Sequence, residues 1–292
     1  MSADEGGLVA PTVAGATPPT DAALTQREVR ELWAFLHGDI MIGGIRQHLR
    51  RAMGLCARHS WGYAQVEIEL WTHGAGDRGG HQPFDVCVLY ETLADDVAHR
   101  LRTRHAPWTR DLRGLVVPTD SCRICDVLVD TATGSGLPGL ADRDAAMRGY
   151  GGLDLGRSTV EANAATWTAR WCHETEPIWR PRACPECVDE LPGDDARGEA
   201  TAGAGPGLLC RVHLGARPLA PAEARHVGAA LDQTHVSMIG LLRTMTKNGP
   251  SATPEENASW IEALGWFAGW SLPLKLTSAH AARDADTSEA DR

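Results

Sequence analysis

Six of the eight cysteines in this 292-residue chain fall in four short motifs: Cys56-Ala-Arg-His59, Cys122-Arg-Ile-Cys125, Cys184-Pro-Glu-Cys187 and Cys210-Arg-Val-His213. A two-residue spacer between soft ligands lets the backbone fold into a tight knuckle. Both side chains then reach one tetrahedral ion, at about 2.3 Å for sulfur and about 2.0 Å for imidazole. The motifs make up two Cys3His sets, and the metal they point to is zinc, two ions per chain. One set, Cys184, Cys187, Cys210 and His213, reads C-x2-C-x22-C-x2-H, the spacing of many paired knuckles. The other, Cys56, His59, Cys122 and Cys125, must close a 62-residue separation. Such a loop costs little extra, because closure entropy grows only as the logarithm of length. Pairing of motifs across the two sets is the alternative.

Other readings of these cysteines have to be weighed. A single C-x2-C could be a pair of buried thiols, since free cysteine behaves as a small hydrophobe. An iron–sulfur cluster usually takes four thiolates, and Cys172 or Cys87 could supply a fourth, but both C-x2-H motifs place histidine where a cluster wants sulfur. Four protein ligands leave zinc no open position, so a closed site is structural and contributes folding energy rather than catalysis. Cys172-His-Glu174 followed by Cys184-Pro-Glu-Cys187 has some likeness to the zinc-deaminase pattern. Only nine residues separate Glu174 from Cys184, however, and Ala183 stands where that pattern has proline.

Composition narrows the class further. The 38 acidic residues outnumber the 28 basic ones, for a net charge of −10. No Lys/Arg-dense block is present to track a phosphate backbone, so nucleic acid is disfavoured as a partner, with Arg46, Arg50, Arg51 and Arg58 the one local basic face. Residues 1–24 are rich in Ala, Pro and Thr and lack the basic and apolar regions of a secretory signal. The expected location is therefore the cytoplasm, where thiols stay reduced and closely paired cysteines serve as metal ligands. The longest nonpolar stretch, 263–274, falls short of the ~20 residues a spanning helix needs, so no membrane association is expected.

The periodicity predicts a mostly α-helical protein in which treble-clef-like zinc knuckles tie the helices together. Thr25-Gln-Arg-Glu28 has the form of a capping box and opens a helix over about 26–38. A second is expected over 44–53, stopped by Gly54, with Cys56 and His59 just beyond it. Residues 61–71 read as a helix, or as a strand from the alternation of Val66, Ile68 and Leu70. Residues 74–80 read as a loop and 84–104 as a long helix with Cys87 in the core. The stretch 105–120 reads as irregular, and 127–155 lacks clear periodicity. Helices are expected over 158–176, 221–246 and from Thr253-Pro-Glu-Glu onward, and 189–207 reads as a flexible excursion. The chain divides into a disordered lead over 1–24, one helical zinc-binding domain over 25–276 and a disordered tail over 277–292. Gly54-Leu-Cys-Ala-Arg-His59 and Gly207-Leu-Leu-Cys-Arg-Val-His213 are near echoes, which suggests two related halves, 25–150 and 157–276.

Candidate sites beyond the metal ligands are few. His37, Asp39 and His48 could form a polar site near the first set, although a lone histidine on an apolar helix face is more often a hydrogen-bonded core residue. Glu67, Glu69, Asp85 and Glu91 show no paired-carboxylate logic. Trp260, Trp266 and Trp270 could form an exposed docking face, but packing on the preceding helix is the favoured reading. No catalytic residue is identified.

The combination of a C-x2-C knuckle, a helix and a G-[FL]-C-x2-H element, best seen in Gly54-Leu-Cys-Ala-Arg-His-Ser-Trp61, resembles a bacterial, mainly actinobacterial, Cys/His-rich family of unknown function. The likeness spans about Leu32 to Leu274. That family pattern often has a C-x2-C upstream of its first C-x2-H, whereas no cysteine precedes Cys56 here, which leaves the pairing of the first set open. The expected function is that of a zinc-binding interaction or regulatory module whose partner is a protein or a small molecule. The alternatives are an enzyme of a specialised pathway with zinc as scaffolding, and a thiol redox or metal sensor.

Overall fold

Thr25 opens the first helix through a complete capping box: the Glu28 backbone N–H donates to Thr25 Oγ1 at 3.2 Å, and the Thr25 backbone N–H donates to Glu28 Oε2 at 2.7 Å. The computed structural model describes residues 23–40, 42–70, 81–103, 111–133, 154–191 and 207–278. Helix α1 (Gln26–Ala34) runs into a π-helical turn, Phe35–Asp39. Then follow α2 (Gly43–Ala52), α3 (Ala57–Leu70), α4 (Phe84–Thr103), a 3-10 turn at Arg113–Leu115 and α5 (Arg123–Thr133). The later elements are α6 (Leu155–Ala164), α7 (Thr166–Glu174), α8 (Glu176–Trp179), α9 (Pro185–Asp189) and α10 (Arg211–Gly215). The long α11 (Pro221–Thr244), α12 (Pro254–Ala268) and a short α13 over 271–278 complete the chain. No strand occurs among the described residues.

The core forms around α3, α4, α11 and α12, with α4 against α11 the most extensive contact. Twelve of the fourteen residues of α3 are buried, including Glu67 and Glu69, so its apolar pattern has no polar face for periodicity to detect. That explains why 61–71 allowed a strand reading. The two glutamates have a structural task. Glu67 accepts the Asp85 and Val86 amides at 2.7 and 3.0 Å, and Glu69 accepts the Thr168 amide at 2.9 Å. Each carboxyl thus caps the exposed N–H groups at the start of another helix, α4 and α7.

Some expectations need correction. Residues 158–176 form two helices rather than one, broken at Ala165, whose φ of 47° interrupts the right-handed run. The stretch from 127, read as aperiodic, begins inside α5, which continues to Thr133. Leu24, placed in the lead, is 5% exposed and packs in the core, and Thr277, placed in the tail, is 2% exposed and lies in the last turn of α13. The two halves share one core, since α4 comes from the first and α11 from the second. Trp260, Trp266 and Trp270 are 0, 5 and 2% exposed and pack inward, the reading favoured over a docking face. The expected loop at 74–80 and most of the expected lead, tail and 189–207 excursion lie outside the described residues.

Candidate metal centres

All four motifs are built the same way: the first ligand caps a helix and the second lies in that helix's first turn. The carbonyls of Cys56, Cys122, Cys184 and Cys210 each accept the first intrahelical bond, from Ser60, Asp126, Val188 and Leu214 at 2.8 to 3.1 Å. Capping position and third helical residue face each other at every helix start, as a capping box requires. Here that geometry aims two ligand side chains at one point, and the positive end of the helix dipole favours thiolate there.

Cys56, His59, Cys122 and Cys125 come together, as do Cys184, Cys187, Cys210 and His213, with the ligand atoms of each group all within 4.8 Å of one another. In the first group His59 Nδ1 lies 3.3, 3.5 and 3.4 Å from the sulfurs of Cys56, Cys122 and Cys125. In the second, His213 Nδ1 lies 3.2, 3.6 and 3.3 Å from those of Cys184, Cys187 and Cys210. Sulfur–sulfur distances are 3.9 Å for Cys56–Cys125 and 3.7 Å for Cys187–Cys210. A tetrahedral ion with zinc-like bond lengths requires about 3.8 Å between sulfurs and about 3.5 Å between sulfur and nitrogen. A disulfide requires about 2.05 Å and is excluded. Both groups could therefore hold a metal ion. Cys87 and Cys172 belong to neither group and are wholly buried, and burial pushes both thiols up. Glu174 pairs with Arg170 on the surface, and neither it nor Cys172 belongs to a ligand group among the described residues.

Each histidine is held from behind by a carboxylate that the sequence did not single out. His59 Nε2 lies 3.2 Å from Glu28 Oε1, and His213 Nε2 lies 3.2 Å from Glu190 Oε1. With Nδ1 directed at the sulfurs, Nε2 carries the proton and donates, an arrangement that fixes the tautomer and raises ligand basicity. Glu28 is far better fixed than Glu190. Arg58 grips it through Nε at 2.5 Å and NH2 at 2.8 Å, while the Glu190 side chain is 70% exposed. Burial pushes the Glu28 carboxyl up, but bonds from Arg58, His59 and Thr25 outweigh it and hold the group well below the usual carboxylate range. Its place in the capping box was visible in the sequence. Its second role was not, because that depends on how α1 packs on α3.

The 62-residue separation in the first group is closed by docking the segment before Cys122 onto α2. Arg51 Nε donates to Asp120 Oδ2 at 2.8 Å, the Thr119 amide donates to the Arg51 carbonyl at 2.9 Å, and His48 Nε2 sits 3.0 Å from the Ser121 carbonyl. His48 is thus a half-buried tether. His37 stacks edge-on against Trp33 at 4.3 Å and belongs to neither ligand group, and burial lowers it to about 4.

The two glycines of the sequence echo serve different ends. Gly54 has a φ of 90°, and a Cβ there would come within 2.9 Å of the Tyr90 hydroxyl. Gly207 instead lets two backbones meet, since a Cβ would lie 2.1 Å from the Ala183 carbonyl beside Cys184. No protein-family model matches the chain, and neither curated proteins nor solved structures give a match.

Proposed function

We propose that each Cys3His group binds one zinc ion permanently and that the protein is a zinc-stapled helical module for interaction or regulation. The observation that carries this reading is the convergence, twice, of three sulfurs and one imidazole nitrogen at tetrahedral spacing, each imidazole backed by a glutamate. With four protein ligands apiece the ions have no open position for substrate, and on the order of 10 kcal/mol of binding free energy goes into the fold. The resemblance to a bacterial Cys/His-rich family is part of the same proposal, as is a cytoplasmic setting; among the described residues no helix is long and apolar enough to cross a membrane.

Cobalt substitution tests the ligand assignment. Co2+ should fill both sites and give the intense thiolate charge-transfer and d–d bands of a tetrahedral centre with three sulfur ligands and one nitrogen. Cys184→Ser should lose half of that signal and one metal equivalent, while Cys87→Ser should lose neither. An equivalent lost in Cys87→Ser would show the ligand sets to be wrong.

An enzymatic reading is favoured by a cleft beside the second group that is lined by an Arg–Glu pair and two tryptophans.

A further inference from the structure

Six tryptophans are buried in the helical core, and five of them show how unequally their N–H groups are answered. Trp61 donates to the Gly269 carbonyl at 2.9 Å, Trp179 to the Cys172 carbonyl at 2.8 Å and Trp260 to Gln82 Oε1 at 2.7 Å. Trp266 and Trp270 keep buried Nε1 atoms with no hydrogen-bond partner among the described residues. An unanswered buried donor costs about 1 to 3 kcal/mol, so two at one place need a reason. Both side chains line the same cleft of about 410 Å3, between the 3-10 turn Arg180–Arg182, α11 and α12.

The other walls share this excess of donors over acceptors. The Glu262 carboxylate, 5% exposed, receives Arg182 NH1 at 2.8 and 2.7 Å on its two oxygens, and Thr234 Oγ1 stands 3.5 Å from it. Glu262 is therefore committed. Arg182 is not, because its Nε and NH2 make no hydrogen bond to the described residues and its side chain is 47% exposed. Leu208 and Leu231 supply an apolar floor. Trp270 is fixed, stacked on Trp179 at 5.7 Å and pressed against Gly265, where a Cβ would meet its ring at 2.5 Å. Trp266 packs edge-on against Phe267 at 4.8 Å and lines the cleft with its N–H unanswered.

We propose that this cleft binds a small carboxylate with a flat apolar body. Its oxygens are taken by the free edge of the Arg182 guanidinium and by the Trp266 N–H, and its body lies against Leu208, Leu231 and Trp270. The volume suits one or two fused rings, and a few placed polar groups in an apolar cleft are what a small-molecule site requires. Arg182 precedes Cys184 by two residues and Leu208 precedes Cys210 by two, so the second metal centre sets both walls. This goes beyond the metal reading, and metal content measured on the same samples keeps the two apart.

Calorimetric titration of the purified protein with 2-naphthoate, and with 2-naphthylmethylammonium as the cation of equal size, tests it. Naphthoate should bind with a Kd of about 10 to 100 μM and the ammonium at least about tenfold more weakly. Ala230→Phe, which fills the cleft from α11, should abolish binding. The double variant Arg182→Met/Glu262→Gln, which leaves no unpaired buried carboxylate, should weaken it about tenfold, and Trp266→Phe a few-fold, each with zinc content unchanged. The proposal is overturned if zinc-replete protein shows no naphthoate binding up to about 1 mM, if the ammonium binds as tightly, or if Ala230→Phe binds like the parent.

Discussion

At the scale of single residues, Glu28 and Glu190 occupy equivalent places behind the two ligand histidines but differ in how firmly they are held. Glu28 completes a capping box, receives a two-pronged Arg58 contact and sits at 9% exposure, whereas Glu190 is 70% exposed at the end of α9. Loss of a partner behind a ligand histidine typically costs about 10- to 100-fold in metal affinity, provided the partner is fixed. Glu28→Gln should therefore speed zinc release from the first site by about 10-fold or more, while Glu190→Gln should change the second by less than about 3-fold. Release into a chromogenic chelator measures both, and equal effects would mean that fixation of the carboxylate is irrelevant. The four ligand pairs were readable because a two-residue spacer is a local property of the chain. Glu28 and Arg58 were not, because their partnership spans thirty residues and exists only once α1 and α3 have packed.

At the scale of elements, α4 and α7 are started by a glutamate from α3, and α3, α5, α9 and α10 by a ligand cysteine at the capping position. Glu67 starts α4, and burial, with the Asp85 carboxylate beside it, pushes its carboxyl up to about 8 from an ordinary 4.5. Between those two values the unfolded chain has released a proton that the folded chain keeps. Folding then weakens as pH rises through that window, by at most about 1.4 kcal/mol per pH unit. Glu67→Gln lacks this term. Its melting temperature relative to the parent should therefore climb between about pH 5 and pH 8, and a difference that stays constant across that range would mean Glu67 is ionised throughout. The sequence yielded α1, α2, α4 and α11 within a few residues and the start of α12, through the capping box at Thr25, the N-cap Thr253 followed by Pro254 and the stop at Gly54. It missed the break at Ala165, since a single alanine in a left-handed conformation carries no compositional signal and is imposed by the packing of α6 and α7 on α3.

At the scale of the whole molecule, the two Cys3His groups lie within electrostatic reach of one and the same buried arginine. Arg211, beside Cys210 in sequence, donates through Nε to the Phe267 carbonyl at 2.9 Å and lies within electrostatic reach of Cys210, Cys56 and Tyr90. A divalent ion with three thiolates carries a net charge of about −1, so two centres leave about −2 for the interior to balance. Arg211→Met should quicken zinc release from both sites, with Arg211→Lys largely restoring the parent rate. An effect confined to the second site would reduce Arg211 to a local packing residue.

The most direct test of the account is metal analysis of the purified, untagged protein by inductively coupled plasma mass spectrometry, with an absorption spectrum of the same sample. The account predicts two zinc per chain and no visible band. Iron with a broad visible absorption, or a folded protein without stoichiometric metal, would contradict it.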